Sequence, residues 1–309
     1  MHVLARYLQR YGSHKSQYLI DGFTNGFKLG FNGTQQSVLS GNLTSALDNP
    51  AVIDKKLDKE TAMGRIAGPF LSPPFANFRC SPLGIVPKKT FGEFRLIHHL
   101  SYPDNSSVNA GIDREFSRVH YAGIETAIQM IKKCHVPPYL AKTDVESAFR
   151  VVPIHPSDYH LLGFSWRGKY YYDKVLPMGC SSSCRIFEAF SSALEWVSLH
   201  KTTASHVCHI LDDFLFVEES RAACQESLHS FTVLCSEIGV PLAANKTFPP
   251  SQVMDFVGIT LDTVHRVALL PQEKIDRCVL LLTSLQLEKR SLLKNYNNYL
   301  VHSILPAQL

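Results

Sequence analysis

Residues 206–217 read HVCHILDDFLFV and place two adjacent aspartates between two apolar runs. Neighbouring side chains of a continuous strand point to opposite faces, so one of Asp212 and Asp213 would face the core at a cost of several kcal/mol. A hairpin with a tight turn avoids that cost because it carries both carboxylates at its tip. Two carboxylates held together raise one another's pKa unless a cation lies between them. The segment therefore predicts a β-hairpin, and its tip is either a metal site or an ordinary surface turn.

A third aspartate, Asp144, also follows an apolar strand and precedes a predicted turn. Aspartates from two adjacent strand ends can hold two Mg²⁺ ions, which prefer hard oxygen ligands and leave room for substrate phosphates. Two such ions activate an attacking 3′-hydroxyl and neutralise a leaving pyrophosphate. Asp144, Asp212 and Asp213 together therefore favour a metal site over a simple surface turn.

The composition of the 309 residues is that of a folded chain. Hydrophobic residues make up 45% and charged residues 19%, which excludes disorder as the main state. The length allows two compact units or one large unit with subdomains. No stretch approaches the roughly 20 apolar residues of a membrane helix, and residues 1–20 lack the apolar region of a signal peptide. We therefore expect no membrane association and an intracellular location, in the cytoplasm or the nucleus.

Charge and cysteine spacing indicate no further class of site. The net charge of +4 is only mildly basic, so charge alone leaves open whether the partner is a nucleic acid. None of the eight cysteines forms a C-x-x-C pair, and Cys180 with Cys184 lacks the second pair or nearby histidine of a zinc site. We expect buried free thiols in a reducing compartment. The fourteen histidines show no ligand spacing and are interpreted as core or surface residues.

The predicted elements mix hairpins with helices and include no repeating βαβ unit. The apolar spacing predicts helices over residues 51–67, 121–134, 182–200, 219–238 and 271–288. It predicts strands or hairpins over residues 81–100, 139–149, 160–176, 206–217, 241–248, 254–262 and 267–270. Residues 1–50 are interpreted as an extension packed on the domain. This order favours an α+β fold, with an antiparallel sheet that has helices on one side.

Several of these segments resemble the motifs of reverse transcriptases, in order and in spacing. The matching stretches are SPLGIVPKK (81–89) and FRLIHHLSY (94–102) in the fingers, TDVESAF (143–149) at the first palm motif, LPMGCSSSCRIF (176–187) at the nucleotide pocket, ILDDFLFV (210–217) at the Asp-Asp motif, ANKTF (244–248) at the lysine-bearing motif and MDFVGITLD (254–262) at the primer grip. Three stretches look most like DIRS-type retroelements, which encode a tyrosine recombinase: GRIAGPFLSPP (64–74), RLIHHLSYP (95–103) and PMGCSSSCRIFEAF (177–190).

The resemblance implies a right-hand polymerase fold with an antiparallel palm sheet. It implies an N-terminal extension over residues 1–50, fingers and palm over residues 51–262, and a partial, truncated thumb or connection over residues 263–309. The implied activity is that of an RNA-directed DNA polymerase of a retrotransposable element, which adds dNTPs to a primer on an RNA or DNA template. No ribonuclease H module is expected in this chain. That module and the recombinase of the parent element are expected elsewhere.

The resemblance also implies roles at the metal site. Asp144 and Asp212 would bind both Mg²⁺ ions, with Mn²⁺ as an alternative metal, and Asp213 would complete the site. The backbone carbonyl of Val145 would bind one of the ions. Lys246 falls where a general acid can protonate pyrophosphate, and the alternative is a solvated lysine at a strand end.

A second set of roles concerns the incoming nucleotide. Arg95 with Lys88 or Lys89 would hold the triphosphate, because a guanidinium binds phosphate bidentately and an ammonium acts as a point charge. Without the resemblance, these residues form an ordinary basic hairpin. Phe149 falls at the position that excludes a ribose 2′-hydroxyl, which would favour dNTPs. Interpreted from the residues alone, Phe149 is a core aromatic.

The nucleotide-pocket motif departs from the retroviral enzymes at Met178. Those enzymes carry a glutamine there, in Leu-Pro-Gln-Gly, which touches the nucleotide sugar. Methionine cannot donate a hydrogen bond, so the contact would become apolar packing, which affects fidelity and nucleotide affinity rather than the reaction. Gly179 still permits a close backbone approach. Residues 181–183 are serines that are expected to cap the following helix.

The tail after the final predicted helix has no clear amphipathic period. Residues 290–309 read RSLLKNYNNYLVHSILPAQL, where the family would continue through the thumb and connection to ribonuclease H. Codons that could encode residues 294–307 permit, in a shifted frame, a segment that resembles this continuation. We therefore hypothesise that the chain leaves the ancestral frame near Lys294. Residues 289–309 should then pack poorly, and activity should be weak or absent because a primer clamp is missing.

Two alternatives to an active polymerase stay open. The first is a catalytically inactive relic of the same fold that binds nucleic acid. The three aspartates argue against this alternative, and an incomplete thumb argues for it. The second is an unrelated metal-dependent hydrolase that uses the three aspartates. Primer extension with dNTPs separates these hypotheses.

Overall fold

The computed structural model describes residues 2–88 and 92–286. Its α-helices are α1 (His2–Tyr7), α2 (Ser13–Asn25), α3 (Thr44–Leu47), α4 (Pro50–Ala62), α5 (Arg114–Ser117), α6 (Ile124–Lys133), α7 (Ser183–Lys201) and α8 (Arg221–Ile238), and a further helix covers residues 272–286. Its strands are β1 (Val38–Leu39), β2 (Ile66–Phe70), β3 (Arg79–Cys80), β4 (Leu83–Pro87), β5 (Phe94–His98), β6 (Tyr139–Asp144), β7 (Gly163–Trp166), β8 (Lys169–Asp173), β9 (Val207–Ile210), β10 (Asp213–Glu218), β11 (Phe248–Ser251), β12 (Val253–Phe256), β13 (Ile259–Asp262) and β14 (Val267–Leu269). Within this described part, no helix combines the length and the apolar character that crossing a membrane requires.

A four-stranded antiparallel sheet, in the order β11-β6-β10-β9, carries the aspartates. β10 lies between β6 and β9, and its register places Asp213 directly opposite Asp144 on one side and Ile210 on the other. The hairpin predicted from residues 206–217 is therefore confirmed. The sheet therefore brings the C-terminal end of β6 and the tip of the β9–β10 hairpin to the same end of the strands.

Both faces of this sheet are covered. Phe214 and Phe216 point towards α8, where their rings contact Phe231 at centroid distances of 4.8 and 5.3 Å. Leu215 and Val217 belong to a second apolar cluster, which also contains residues of α6, β12 and β13. The predicted arrangement, with helices on one side, was wrong. Because successive side chains of β10 alternate between faces, four consecutive apolar residues require a cover on each face.

The other strands form smaller sheets beside this one. A five-stranded sheet has the order β1-β3-β7-β8-β2, and β4 pairs with β5 as a hairpin. The hairpin predicted over residues 81–100 is confirmed, with Leu83 opposite His98 and Pro87 opposite Phe94. α3 and α4 pack on these two sheets through a third apolar cluster.

The first helices join the main core. Leu8, Leu19 and Phe27 are almost fully buried in the same cluster as the apolar faces of α7 and α8. Phe27 also forms a parallel bridge with Ile154. The first helices and the loop after them therefore contribute to the main core.

Residues 241–248 are not a strand, contrary to the prediction. They contain a 3₁₀ turn at Ala244–Lys246, and β11 begins only at Phe248. The preceding backbone is tied to the end of β6, because the Ala243 N–H donates to the Asp144 carbonyl at 2.8 Å. This bond holds the stretch beside the site instead of in a continuous strand.

In the C-terminal part of the described chain, the structure differs from two further predictions. Residues 254–262 form a hairpin rather than a single strand, since Val257 and Gly258 adopt positive φ angles of 42° and 81° and turn the chain back. The helix predicted over residues 271–288 is confirmed over 272–286. The hypotheses on the tail, including the frame change near Lys294, lie outside the described residues.

Candidate active site

Three carboxylates meet at one end of the inner strands of the central sheet. Asp144 is the last residue of β6, and Asp213 is the first residue of β10. Asp212 lies in the tight turn between β9 and β10, just after Leu211, whose φ is 54°. One oxygen from each carboxylate lies within 4.8 Å of the others. The Val145 N–H donates to the Asp212 carbonyl at 3.0 Å, which ties the turn to the end of β6.

The charged forms of Asp212 and Asp213 are destabilised by burial and by Asp144. Asp144 is buried, with 4% of its surface exposed. Burial and then the charge of Asp144 raise the pKa of Asp212 to about 6, and the same two causes raise the pKa of Asp213. A cation among the oxygens would relieve this repulsion. The donor set consists of hard carboxylate oxygens, which suits Mg²⁺ or Mn²⁺ better than a soft metal ion.

Lys246 joins this cluster. Its Nζ donates to Asp144 Oδ2 at 2.7 Å, although 56% of its side chain is exposed. Burial lowers the pKa of Lys246, but the hydrogen bond with Asp144 and the nearby carboxylates outweigh this effect and raise the pKa. Lys246 is more than half exposed, as the alternative of a solvated lysine expects, but it also pairs with a buried carboxylate from a 3₁₀ turn.

Phe149 follows the triad on a short 3₁₀ segment, Ala148–Val151. Its ring packs edge-on against Phe187 of α7, with a centroid distance of 5.5 Å and an interplanar angle of 82°. The residue is only partly buried at the margin of the main cluster. Phe149 therefore has both a packing contact and an open side. The interpretation as a core aromatic accounts for the contact, and the interpretation as the residue that excludes a 2′-hydroxyl accounts for the open side.

The backbone geometry at residue 179 requires a glycine. Its φ is +107°, and a Cβ at this position would lie 2.7 Å from the backbone oxygen of His98. The backbone at Gly179 therefore lies close to that of strand β5. Sequence reasoning missed Asn109, which donates to the Gly179 carbonyl at 2.8 Å and accepts from the Ser181 N–H at 2.9 Å. It begins a single short 3₁₀ turn, Asn109–Gly111, which offers no periodic signal. The neighbouring Met178 is 42% exposed.

The serines before α7 do not cap it as predicted. Ser182 occupies the N-cap position but makes no side-chain capping bond. The Ser183 hydroxyl donates instead to the Pro177 carbonyl at 2.9 Å. The Ser183 hydroxyl therefore stabilises the loop that leads into the helix.

The predicted triphosphate ligands are only partly assembled. Lys88 donates from Nζ to Glu93 Oε2 at 2.9 Å on the surface of the β4–β5 hairpin. Arg95 is exposed on β5, and no acidic side chain in the described ranges pairs with it. Lys89 lies outside the described residues. Of the two predicted phosphate ligands that lie in the described ranges, Lys88 is paired with an acidic side chain there and Arg95 is not.

A buried ion-pair network lies behind the site and was not predicted. Asp173 ends β8, where it accepts from Arg150 at 2.6 Å and lies 3.2 Å from His98 Nδ1. Arg150 also pairs with Glu60 at 2.9 Å. Burial raises the pKa of Asp173, but Arg150 and then His98 outweigh it, so the pKa is lowered. One sequence signal was available, since Asp173 ends an aromatic strand much as Asp144 ends an apolar one.

Comparison with known protein families finds a match. The family described as reverse transcriptase (RNA-dependent DNA polymerase) matches residues 86–261. No curated protein matches the chain in sequence.

Solved structures share the fold at low sequence identity. The native protease-reverse transcriptase of prototype foamy virus has a TM-score of 0.56 and 20% identity, over 76% of this chain and 29% of that chain. The foamy viral protease-reverse transcriptase in complex with an RNA/DNA hybrid has a TM-score of 0.62 and 15% identity, over 89% and 37%. The dRH form with double-stranded DNA has a TM-score of 0.61 and 16% identity, over 89% and 48%.

The chain therefore spans less than half the length of these three structures. Their likeness shows a right-hand polymerase fold with an antiparallel palm sheet. The family match covers more than half of the chain and includes all three aspartates of the site. The chain therefore belongs to the reverse transcriptase family.

Proposed function

We propose that this chain is an RNA-directed DNA polymerase that adds dNTPs to the 3′-hydroxyl of a primer. The observation that carries the proposal is the cluster of Asp144, Asp212 and Asp213, whose oxygens lie within 4.8 Å of one another, in a reverse transcriptase fold. The foamy viral protein is solved with an RNA/DNA hybrid, which supports a primed template as the partner.

The three carboxylates and the Val145 carbonyl would hold two divalent cations, Mg²⁺ or Mn²⁺. Bound there, the cations would supply activation of the 3′-hydroxyl and neutralisation of the leaving pyrophosphate. The protein's own part is to hold the carboxylates in fixed positions. The register of β6 with β10 and the hydrogen bond from Val145 to Asp212 do this before any substrate arrives.

The other residues of the site act on the nucleotide. Arg95 would bind the triphosphate with its unpaired guanidinium, and Lys88 or Lys89 would add charge. Lys246 would hold a proton beside Asp144 for transfer to pyrophosphate. The open side of the Phe149 ring would face the sugar and exclude a 2′-hydroxyl.

One further sugar contact and the origin of the chain complete the proposal. Met178 is exposed beside Gly179 and would contact the sugar through apolar packing. Residues 51–262 would form fingers and palm, and the segment after residue 262 would begin the thumb. The motifs at residues 64–74, 95–103 and 177–190 support an origin in a DIRS-type retrotransposable element.

Primer extension tests this proposal against the inactive relic. The full chain is incubated with an RNA template, a DNA primer, dNTPs and Mg²⁺, and extension and primer–template binding are measured separately. Extension supports the polymerase, binding without extension identifies the relic, and hydrolysis of small phosphate esters without either would revive the hydrolase.

The matched variants are Asp212→Asn and, as a control, Asp48→Asn on the exposed surface after α3. Asp212→Asn should lower extension at least about 100-fold, because it removes a metal ligand worth several kcal/mol. Mg²⁺ should raise the thermal midpoint of the wild-type chain and not that of Asp212→Asn. Extension by Asp212→Asn at the wild-type rate would refute the metal assignment.

A further inference from the structure

The Asn109 side chain joins the end of the β4–β5 hairpin to the loop that leads into α7. Its Nδ2 donates to Ser101 Oγ and to the Gly179 carbonyl, at 2.8 Å each. Its Oδ1 accepts from the Ser181 N–H at 2.9 Å. Its own backbone N–H donates to the Leu100 carbonyl at 2.9 Å. One residue therefore ties together two segments that are distant in the sequence.

These bonds use the whole hydrogen-bonding capacity of the amide nitrogen and leave its orientation fixed. A primary amide has two N–H donors and one oxygen acceptor, and in Asn109 both donors and the acceptor are engaged. A flipped amide would set its oxygen against the Gly179 carbonyl and its nitrogen against the Ser181 N–H. Aspartate and leucine have a similar size, but aspartate lacks the donors and leucine lacks both kinds of group. The bridge therefore depends on an amide at residue 109.

The two joined segments carry residues proposed to bind opposite ends of the nucleotide. Arg95, proposed for the triphosphate, lies on β5, and Met178, proposed for the sugar, immediately precedes Gly179. The segments touch directly, since a Cβ at Gly179 would lie 2.7 Å from the His98 carbonyl oxygen. Methionine has a flexible side chain without a hydrogen-bond donor. The contact that Met178 makes is therefore set by the position of its backbone, which the bonds of Asn109 hold.

We propose that Asn109 is a positioning residue for the incoming nucleotide, which holds the backbone of Met178 at a fixed place relative to the strand of Arg95. This role rests on the proposed function and adds to it a residue that determines nucleotide affinity. A pocket that is ordered before its ligand arrives binds more tightly, because less conformational freedom is lost on binding. Loss of the bridge should therefore weaken nucleotide binding and leave the reaction at the three aspartates unchanged.

Asn42 offers a matched control, because it makes the same kind of bridge elsewhere. Its Nδ2 donates to the Ser165 carbonyl at 2.8 Å, and its Oδ1 accepts from the Leu83 N–H at 2.9 Å. Asn42 and Asn109 are both half-buried. The bridge of Asn42 joins β4 to β7 and not to the loop before α7. A variant at Asn42 therefore reports the general cost of losing such a bridge.

The test measures primer extension by the full chain with Mg²⁺ over a series of dNTP concentrations. Asn109→Leu should raise the KM for dNTP about tenfold and keep kcat and primer–template affinity within about twofold of the wild-type values, because ground-state binding of the nucleotide is lost. Asn42→Leu should lower the thermal midpoint to a similar extent and keep the wild-type KM. Asn109→Asp keeps the acceptor for the Ser181 N–H and loses both donors, and it replaces Asn109→Leu if circular dichroism shows that Asn109→Leu fails to fold.

Amide hydrogen exchange of the chain without substrates supplies a readout that needs no activity. The Ser181 N–H loses its acceptor in Asn109→Leu, so its exchange should be at least about tenfold faster than in Asn42→Leu. Unchanged exchange at Ser181 would overturn the proposed bridge. Where the wild-type chain extends the primer, an unchanged KM in Asn109→Leu, or an equal rise in both variants, would overturn the role of Asn109 and leave the polymerase standing. Absence of extension by the wild-type chain would overturn the polymerase, and the nucleotide role of Asn109 with it.

Discussion

His209 is buried between two carboxylates, and we expect its charge to make the stability of the fold depend on pH. The residue is 5% exposed, its Nδ1 lies 2.5 Å from Glu195 Oε2, and its Nε2 lies 3.1 Å from Glu188 Oε1. Burial lowers the pKa of His209, but the hydrogen bonds with Glu188 and Glu195 outweigh it and raise the pKa to about 9. Only the imidazolium donates from both ring nitrogens.

The magnitude follows from the difference between about 9 in the folded chain and 6.5 for an unperturbed imidazole. At 1.36 kcal/mol per pKa unit, the charged His209 stabilises the fold by about 3 kcal/mol. Because the folded pKa is the higher one, this contribution is fully present below pH 6.5 and is lost as the pH rises through about 9.

Two phenols and a thiol near the glutamates have raised pKa values. Tyr11 lies near Glu195 and Tyr121 lies near Glu188, and burial is the main cause that raises the pKa of both phenols. Burial also raises the pKa of the neighbouring Cys208 thiol to about 12. The pH dependence between the two pKa values of the imidazole therefore reports on His209.

The assay is urea unfolding of the wild-type chain and of His209→Gln, at about pH 6 and about pH 10. The variant should be less stable by about 3 kcal/mol at the lower pH, and the gap should close at the higher pH. His265→Gln is the control, because His265 also pairs with a carboxylate but its side chain is 76% exposed. A gap between wild type and His209→Gln that is the same at both pH values would refute the reasoning.

Phe149→Ala should admit rNTPs, because the 2′-hydroxyl then has room. An unchanged rNTP/dNTP ratio of kcat/KM would leave Phe149 with only its packing contact to Phe187. Binding of primer–template should weaken about 100-fold between about 50 and 200 mM salt if about four phosphates are contacted, and a flat affinity would exclude a cleft that follows the backbone. Arg150→Met should destabilise the fold by about 3–5 kcal/mol in urea unfolding, because Asp173 and Glu60 lose their buried partner. A loss below about 1 kcal/mol would show that this network contributes no more than surface pairs do.

Local patterns predicted most of the elements that carry the candidate site. The tip of the β9–β10 hairpin was predicted because two adjacent carboxylates interrupt an apolar run, and such a run cannot continue as a buried strand through them. The helices α6, α7 and α8 were predicted from a period of apolar residues, which depends only on nearby sequence. The 3₁₀ turn before Lys246 was missed because a hydrogen bond to the Asp144 carbonyl, distant in sequence, decides it.

The sequence by itself determined the β9–β10 hairpin, the three aspartates and the family, since each depends on residue types at short spacing. The tertiary structure alone decided which charges meet: His209 with Glu188 and Glu195, and Lys246 with Asp144. It also decided that both faces of the central sheet are covered. The physical reason is that burial and ion pairing depend on which distant segments of the chain pack together. The partner of a charge or of an apolar face is therefore fixed only when the chain folds.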